Sequence, residues 1–596
     1  MLLERLVQHA QSRNDLPPPY HRPKTVHWAL DTTPHPNAPA FGFLDLRPAQ
    51  GEKPRLVNAP DTMRTSAPSA PFLLVDSAEY VLGIPRIDPG ADEPTEKAKD
   101  RAQMRHSDYL SLLTQWAHTV PDDKGAQAAV QLLHAGIPAG VLPNELTAAD
   151  TIAVTADGEW LHERPSVAAF WAGEVQKKKA KSGAFGICLV CGGPGALVDS
   201  LPDSLMTGAF PKTEGLDKKA KAQLISVNAA AFERAGGEQL ASTPVCAPCG
   251  SQAMTALNAL LADDRHRLRV APSVMVWWTR EPTIEALLEP LEDPQPEDIA
   301  SLLATAHKPN DPMTPVDTNA FHAVTLGLNS SRVVVRDWID VPVLEARRGI
   351  GRWLADHRIA DPWTGTLTCY PLWLLGLSTG RWQNIEEGRG TYVTKSVPHG
   401  VPADLARAAL RGTAPDSRTL LIVLQRIRAD HRIDGPRAAL LRLMLTRSTP
   451  TEDPPMPELN ELETDSAYLS GRAFAILESI QRATMPNVNT TIADKYLSNA
   501  MTSPGTVLPG LRINASNHLR RLRRDNPGAA YALETRLGET FAQINEDIPA
   551  FMTPKQQARF VLGYEHQRAQ DARARKAAGG NLPTARTSDT TAETVA

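Results

Sequence analysis

The chain has 596 residues, with 63 Lys+Arg against 67 Asp+Glu and a formal net charge of −4. A single hydrophobic core stops growing near about 250–300 residues, so one core is excluded and about two to four domains are expected. The near-neutral balance excludes polyanion binding by the field of the whole molecule, which leaves local basic patches as the means of any nucleic-acid contact.

The start places Leu2, Leu3, Leu6 and Val7 on one stripe broken by Glu4, Arg5 and Gln8. That pattern predicts a short amphipathic helix ended by Pro17 rather than a secretory segment. No apolar run approaches the roughly 20 residues of a membrane span, so a cytoplasmic protein is expected. Short β-type runs come next at 25–30, 41–46 and 72–75, between Pro-rich and Asn/Asp/Gly-rich breaks. Tyr109, Leu112, Leu113 and Trp116 recur at helical spacing on a segment that also carries Arg101, Arg105 and His106.

Residues 177–250 hold two CxxC pairs, a lysine run and many glycines, ahead of strand-like segments at 273–279 and 331–338. From 402 to 446 the pattern is helical, with Leu420, Val423, Leu424 and Ile427 on one face and Arg426, Arg428 and Arg432 largely elsewhere. The segment 448–461 has four prolines and four acidic residues and cannot propagate a helix. Beyond it, Ala473, Ile476, Leu477 and Ile480 form one stripe and Leu533, Leu537, Phe541 and Ile544 another. Thr553-Pro-Lys-Gln556 offers an N-cap, an N1 proline and a capping-box glutamine.

The expected fold is α+β and multidomain: a mixed α/β N-terminal and central region with a zinc-knuckle insertion, then a C-terminal helical bundle. The expected divisions are 1–180, 181–252, 253–455, 456–576 as the bundle, and a disordered tail at 577–596.

Four of the five cysteines fall into Cys188-Leu-Val-Cys191-Gly and Cys246-Ala-Pro-Cys249-Gly. Each knuckle can present two thiolates to a tetrahedral ion, and four sulfurs leave no open position for water, which points to structural zinc. The separation of the pairs exceeds the usual spacing, and two unrelated reduced pairs or a redox CxxC are the alternatives. Lys177, Lys178, Lys179 and Lys181 precede the first knuckle, and Lys218, Lys219 and Lys221 lie between the two. They are candidates for phosphate contact or, equally, a solvated surface.

Residues 512–524 carry five arginines, one histidine and no acid. If helical, Asn517, Arg520, Arg521 and Arg524 share one side while Leu519 and Leu522 face inward. Arginines so placed contact phosphates along a strand without reading bases. Gly376-Leu-Ser378-Thr-Gly380 matches the nucleophile-elbow pattern, but the run Arg381-Trp-Gln-Asn-Ile-Glu-Glu-Gly is a poor helix opening, so Ser378 is read as a turn or helix-end residue. No phosphate-binding loop appears, and His162-Glu163 lacks the second histidine of a zinc protease, so no catalytic group is expected. The alternative is a zinc-containing nuclease, or a zinc-ribbon DNA binder that acts without RNA.

Several stretches, in order, resemble the large-subunit family of type I-C CRISPR effector complexes, the Csd or Cas-eight-c family. They are LPPPYHRPKTVHWALD, RTSAPSAPFLLVDSAEYVLGI, LISVNAAAFERAGGEQ, LGLNSSRVVVRDW, RTLLIVLQRIRAD, GRAFAILESIQRATMPNVNTTIADKYLSNA and FVLGYEHQR. The resemblance implies a non-enzymatic Cascade subunit of an antiviral ribonucleoprotein. Such a subunit holds the 5′ end of the guide RNA with its neighbours, senses the protospacer-adjacent motif in target duplex DNA, and supports R-loop formation and the displaced single strand. Guide pairing supplies the sequence choice.

Implied partners are the backbone and handle-binding Cascade subunits, a small subunit from an internal start at Met456 or Met444, and a recruited helicase-nuclease that does the cleavage; no membrane is involved. For motif sensing the resemblance points to Arg64, Thr65, Ser66 and Ser69, with Asn228 as a second base-edge or RNA contact or a turn residue. The family commonly has a Gly and a Lys where this chain has Ala67-Pro68-Ser69-Ala70. Family members often keep only part of the cysteine pattern.

Overall fold

The computed structural model describes residues 1–13, 16–33, 41–48, 54–61, 69–88, 90–180, 185–206, 208, 210, 221–225, 227, 239–270, 273–281, 287–295, 319–329, 332–386, 389–448, 454–485, 490–544 and 548–577. It divides into two compact units, Met1–Arg267 with Gly327–Val335, and Leu268–Leu326 with Arg336–Ala596. The fold is mixed α+β, as the sequence pattern predicts. No helix among the described residues is long and apolar enough to cross a membrane.

The first unit opens with helix α1 (Leu2–Ser12), whose Leu3, Leu6 and Val7 are buried on the predicted stripe. Strand β1 (His21–Thr25) runs to β2 (Trp28–Asp31), followed by β3 (Gly42–Asp45), β4 (Leu56–Pro60) and β5 (Val75–Ser77). The last of these is shorter at its start than the apolar run Phe72-Leu-Leu-Val75 predicts. Leu74 takes a positive φ of 64°, and Val75 N–H bonds back to the Leu73 carbonyl at 2.8 Å, so the segment turns before it extends.

Helix α2 (Ala78–Val81) leads to α3 (Glu96–Thr119), which is started by the Thr95 hydroxyl on Ala98 N–H at 3.3 Å. Tyr109, Leu112, Leu113 and Trp116 are buried on it, as their spacing requires. The α2 carboxylate Glu79 is fully buried and held by Arg86 (2.9 Å), Arg101 (3.2 Å) and Arg105 (2.8 Å). Those two α3 arginines thus have a packing role.

Helix α4 (Lys124–Ala135) precedes β6 (Thr151–Ala156), β7 (Glu159–Trp160) and α5 (Pro165–Ala180). The sheet order is β3-β2-β6-β5, with β7 also on β6. Strands β2 and β6 are parallel with Leu30 opposite Val154, and β5 returns antiparallel on β6. A separate antiparallel pair joins β1 to β4, with His21 opposite Pro60.

The remainder of this unit contains hairpin β8 (Phe185–Ile187) and β9 (Pro194–Ala196), the pair β10 (Leu205–Met206) and β11 (Lys221–Ala222), and helix α6 (Ala247–Ala262). Helix α6 packs on α1: Gln11 donates to Gln252 at 3.4 Å, and Tyr20 N–H donates to the Ser251 hydroxyl at 2.8 Å.

Beyond α6, β12 (Arg267–Val270), β13 (Ser273–Thr279), β14 (Ala320–Asn329) and β15 (Arg332–Pro342) form a four-stranded sheet in that order. Every residue of β13 is buried, which explains its unbroken apolar run. Short α7 (Glu289–Glu292) falls between β13 and β14. Then come α8 (Val343–His357), β16 (Ile359–Ala360), β17 (Leu367–Thr368), α9 (Leu372–Leu377), β18 (Trp382–Glu386) and β19 (Arg389–Tyr392).

The chain finishes in helices: α10 (Val401–Arg411), α11 (Arg418–Asp430), α12 (Gly435–Ser448), α13 (Ser466–Thr484), α14 (Ile492–Thr502), α15 (Pro504–Asp525), α16 (Pro527–Gln543) and α17 (Pro554–Ala577). Predicted caps are present: Thr553 and Gln556 exchange bonds at 2.9 and 3.4 Å at the start of α17. One hydrophobic core runs from Leu268 and Met275 through Trp353 and Leu440 to Phe474 and Phe560, so helices on both sides of residue 456 share it. Of the expected disordered tail, 577–596, Ala577 ends helix α17 and residues 578–596 lie outside the described residues.

Candidate metal centre and nucleic-acid surfaces

The β8–β9 hairpin carries Cys188 and Cys191 in its turn, where Gly192 takes a φ of 72° that a side chain would resist. Cys188 N–H donates to Gly193 O at 3.0 Å, and Gly192 N–H to Cys188 O at 2.9 Å, closing the first knuckle. The second knuckle is the beginning of α6, with Cys246 at its N-cap and Cys249 in its first turn. A bridge between Leu197 and Cys246 and the bond from Leu189 N–H to Pro244 O at 2.9 Å clamp the two together.

The four sulfurs all lie within 4.8 Å of one another, with Cys191 exposed and the other three buried. The Cys191 and Cys246 sulfurs are 3.9 Å apart. Tetrahedral bonds of about 2.3 Å to one ion require sulfur separations of about 3.8 Å. Cys188 Sγ also accepts from the N–H groups of Cys246 (3.2 Å) and Val190 (3.4 Å). Burial opposes ionisation of Cys188, but these donors outweigh it and hold the thiol down to about 7. Cys249 is pushed far up by burial and by the neighbouring Cys246. Four thiols in one space cannot all ionise without a compensating cation. The donor set fits a structural metal.

The arginine-rich segment is helical, as predicted, and forms the second half of α15. Leu511, Ala515, Leu519 and Leu522 are buried, while Arg512, Arg520, Arg521, Arg523 and Arg524 are exposed. Arg512 lies over the Phe541 ring at 4.6 Å, and Arg523 pairs with Glu534. Among the described residues, Arg520, Arg521 and Arg524 have no ion pair. Residues of α13, α14 and α15 line a half-open cavity of about 280 Å³. Sequence periodicity finds the cationic face but not this cavity, which three helices must meet to form.

Lys177 sits in the last turn of α5 and pairs with Glu174 of the same helix at 2.8 Å. Lys178 and Lys179 continue that helix, and their side chains lie outside the described residues. Arg64, Thr65, Ser66 and Asn228 are likewise outside the described residues, as are Lys181, Lys218 and Lys219. Ser69 is half-buried, and its hydroxyl is buried with no hydrogen-bond partner among the described residues. Next to it, Ala70 N–H donates to the Tyr80 hydroxyl at 3.2 Å.

Ser378 closes α9: it is fully buried, and its hydroxyl donates to Leu375 O at 2.7 Å, as a helix-end residue does. His162 is buried, and burial lowers it to about 4, with His21 adding to the effect.

The family model described as CRISPR-associated protein (Cas_Csd1) matches residues 3–571, nearly the whole chain. No curated protein matches it.

Proposed function

Since this chain belongs to the Cas_Csd1 family of CRISPR-associated proteins, the family of the type I-C Cascade large subunit, we propose that it reads the protospacer-adjacent motif and stabilises the strands that guide pairing separates. Guide RNA, target DNA and the neighbouring Cascade subunits are its partners in this reading, in the cytoplasm. Base pairing selects the sequence, so the protein needs a short groove contact and cationic tracks rather than a reactive side chain. Cleavage falls to a recruited helicase-nuclease.

The observation that carries this reading is the α15 face, where Arg520, Arg521 and Arg524 are exposed without a carboxylate partner among the described residues. A structural arginine is usually matched, as Arg523 is by Glu534. Unmatched arginines on one face suit phosphate oxygens. The cysteine centre is proposed to hold zinc, which would link the β8–β9 hairpin to the start of α6 without an open coordination position. The motif contact is assigned to the segment holding Arg64, Thr65, Ser66 and Ser69. A short product begun at Met456 would start ahead of α13, whereas one begun at Met444 would start inside α12.

The test is strand binding by the assembled complex with Arg520, Arg521 and Arg524 replaced by alanine. Weaker binding on all sequences, with a salt slope reduced by roughly one per lost contact, is expected. An effect confined to one target sequence contradicts the assignment.

A further inference from the structure

The cavity between α13, α14 and α15 sets a polar, solvent-facing rim over buried apolar residues. Its floor is apolar, formed by buried Leu477, Leu511 and Ala515. Its rim carries Lys495 and Tyr496 from α14 and Asn514, Asn517 and His518 from α15. None of these five side chains makes a hydrogen bond or ion pair among the described residues.

The walls, by contrast, are fixed. Gln481 accepts from Ile492 N–H at 2.8 Å, Thr491 and Asp494 cap α14, and the Thr484 hydroxyl donates to the His518 carbonyl at 3.4 Å. A rigid apolar floor under unused amides and a phenol fits a flat, heteroatom-edged ring: its face packs on the leucines and its edge meets the asparagines. At about 280 Å³ the space falls just below the range of about 300–1,000 Å³ typical of drug-sized ligands.

At 3.6 residues per turn, Asn514, Asn517, His518, Arg521 and Arg524 fall on one side of α15. Arg521 stands four residues, roughly 6 Å, beyond Asn517 along the axis. Arg521 and Arg524 therefore lie on the same side of α15 as the asparagines of the cavity rim.

We propose that this cavity receives one unpaired base of a single-stranded nucleic acid whose phosphates run along Arg521 and Arg524. The proposal rests on the nucleic-acid reading above and adds a base contact to it. Tyr496 stacks on the ring or covers it, and Asn514 and Asn517 hydrogen-bond its edge. The strand is thereby pinned in register where the arginines alone would let it slide.

The test uses the full chain and two twelve-nucleotide probes, a DNA carrying 4-thiothymidine and an RNA carrying 4-thiouridine. Crosslinked peptides are mapped by mass spectrometry and affinity is measured across salt concentrations. Crosslinks at Tyr496 or His518 are expected, and the probe that yields them identifies the strand type. Asn517→Ala with His518→Ala should remove the crosslink and weaken binding roughly fivefold with the salt slope retained, whereas Arg521→Ala with Arg524→Ala should flatten the slope.

Crosslinks only outside the cavity, with the Asn517/His518 variant binding as wild type and the arginine variant weakened, would overturn the base pocket and leave the track standing. Absence of binding by the wild-type chain, or binding unaffected by the arginine changes, would overturn both. Unchanged thermal unfolding of the variants shows that they fold.

Discussion

Gly471 of α13 lies against the backbone of Phe560 in α17, and Gly563 of α17 lies against that of Tyr468 in α13, where the two helices cross. A Cβ built on Gly471 would sit 2.0 Å from the Phe560 carbonyl oxygen, and one on Gly563 would sit 2.0 Å from that of Tyr468. Neither contact can be relieved by turning a side chain. Gly471→Ala and Gly563→Ala must each separate the helices, costing about 1–3 kcal/mol or more. Gly538 has nothing within 4 Å of its would-be Cβ. Gly538→Ala should therefore be neutral or stabilising by up to ~1 kcal/mol, as urea denaturation of the three variants will show.

Arg437 is fully buried, and its guanidinium donates to Asp430 (2.5 Å), to the carbonyls of Ser378 (3.0 Å) and Gly380 (3.0 Å), and to that of Arg432 (3.2 Å). It joins α12 to the end of α11 and the turn after α9. Arg437→Met leaves Asp430 without its cation and three carbonyls without a donor, and should cost about 3–5 kcal/mol. A change under about 1 kcal/mol in equilibrium unfolding would contradict this account of the core.

His357 is buried, with Nδ1 donating to Trp353 O at 2.6 Å and Nε2 accepting from Tyr370 N–H at 3.1 Å, which fixes it as a neutral ring. Burial, reinforced by Arg442 and Arg447, lowers it from 6.5 to about 4. Between those two values the unfolded chain binds a proton that the folded chain refuses. Stability attributable to His357 is thus complete above 6.5, falls as pH drops toward 4, and is flat below that. The loss is about 3 kcal/mol at order of magnitude.

Glu565, raised by burial from 4.5 to about 7, acts with the opposite sign, costing stability as pH rises through that interval. Comparing wild type with His357→Gln therefore isolates the histidine. The variant should be less stable at neutral pH and show a pH slope smaller by up to about one proton. Parallel slopes would refute the neutral assignment.

The proposed zinc ties residues separated by a long stretch of chain, so its removal should be felt locally. One metal per chain is expected. Chelation, or Cys188→Ser with Cys249→Ser, should expose residues 185–250 to protease. A metal-free wild-type preparation with the same protease resistance would count against the centre.

How far the sequence reaches can be judged from particular elements. The stripe Tyr109–Leu112–Leu113–Trp116 and the Thr553–Gln556 cap are local patterns, and both appear in the structure. So does the Cys188–Cys191–Cys246–Cys249 cluster, because two knuckles announce themselves by spacing. Strand β1, reading His-Arg-Pro-Lys-Thr, shows no alternation and takes its form from pairing with β4. The parallel β2–β6 pairing joins Trp28 to Ile152, a relation between distant segments that local spacing does not encode. At Leu74 a backbone turn overrides an apolar β-type run. The arginine face of α15 was legible because acids are missing from it, whereas the adjoining cavity depends on how three helices meet.

The most direct measurement is to co-express the full chain with the genes beside it and a guide array, purify it, and identify what accompanies it. Stoichiometric guide RNA and partner subunits, with no DNA cleavage until a helicase-nuclease is added, is the predicted result. A chain that emerges free of RNA and partners, or cuts DNA unaided, would contradict the account.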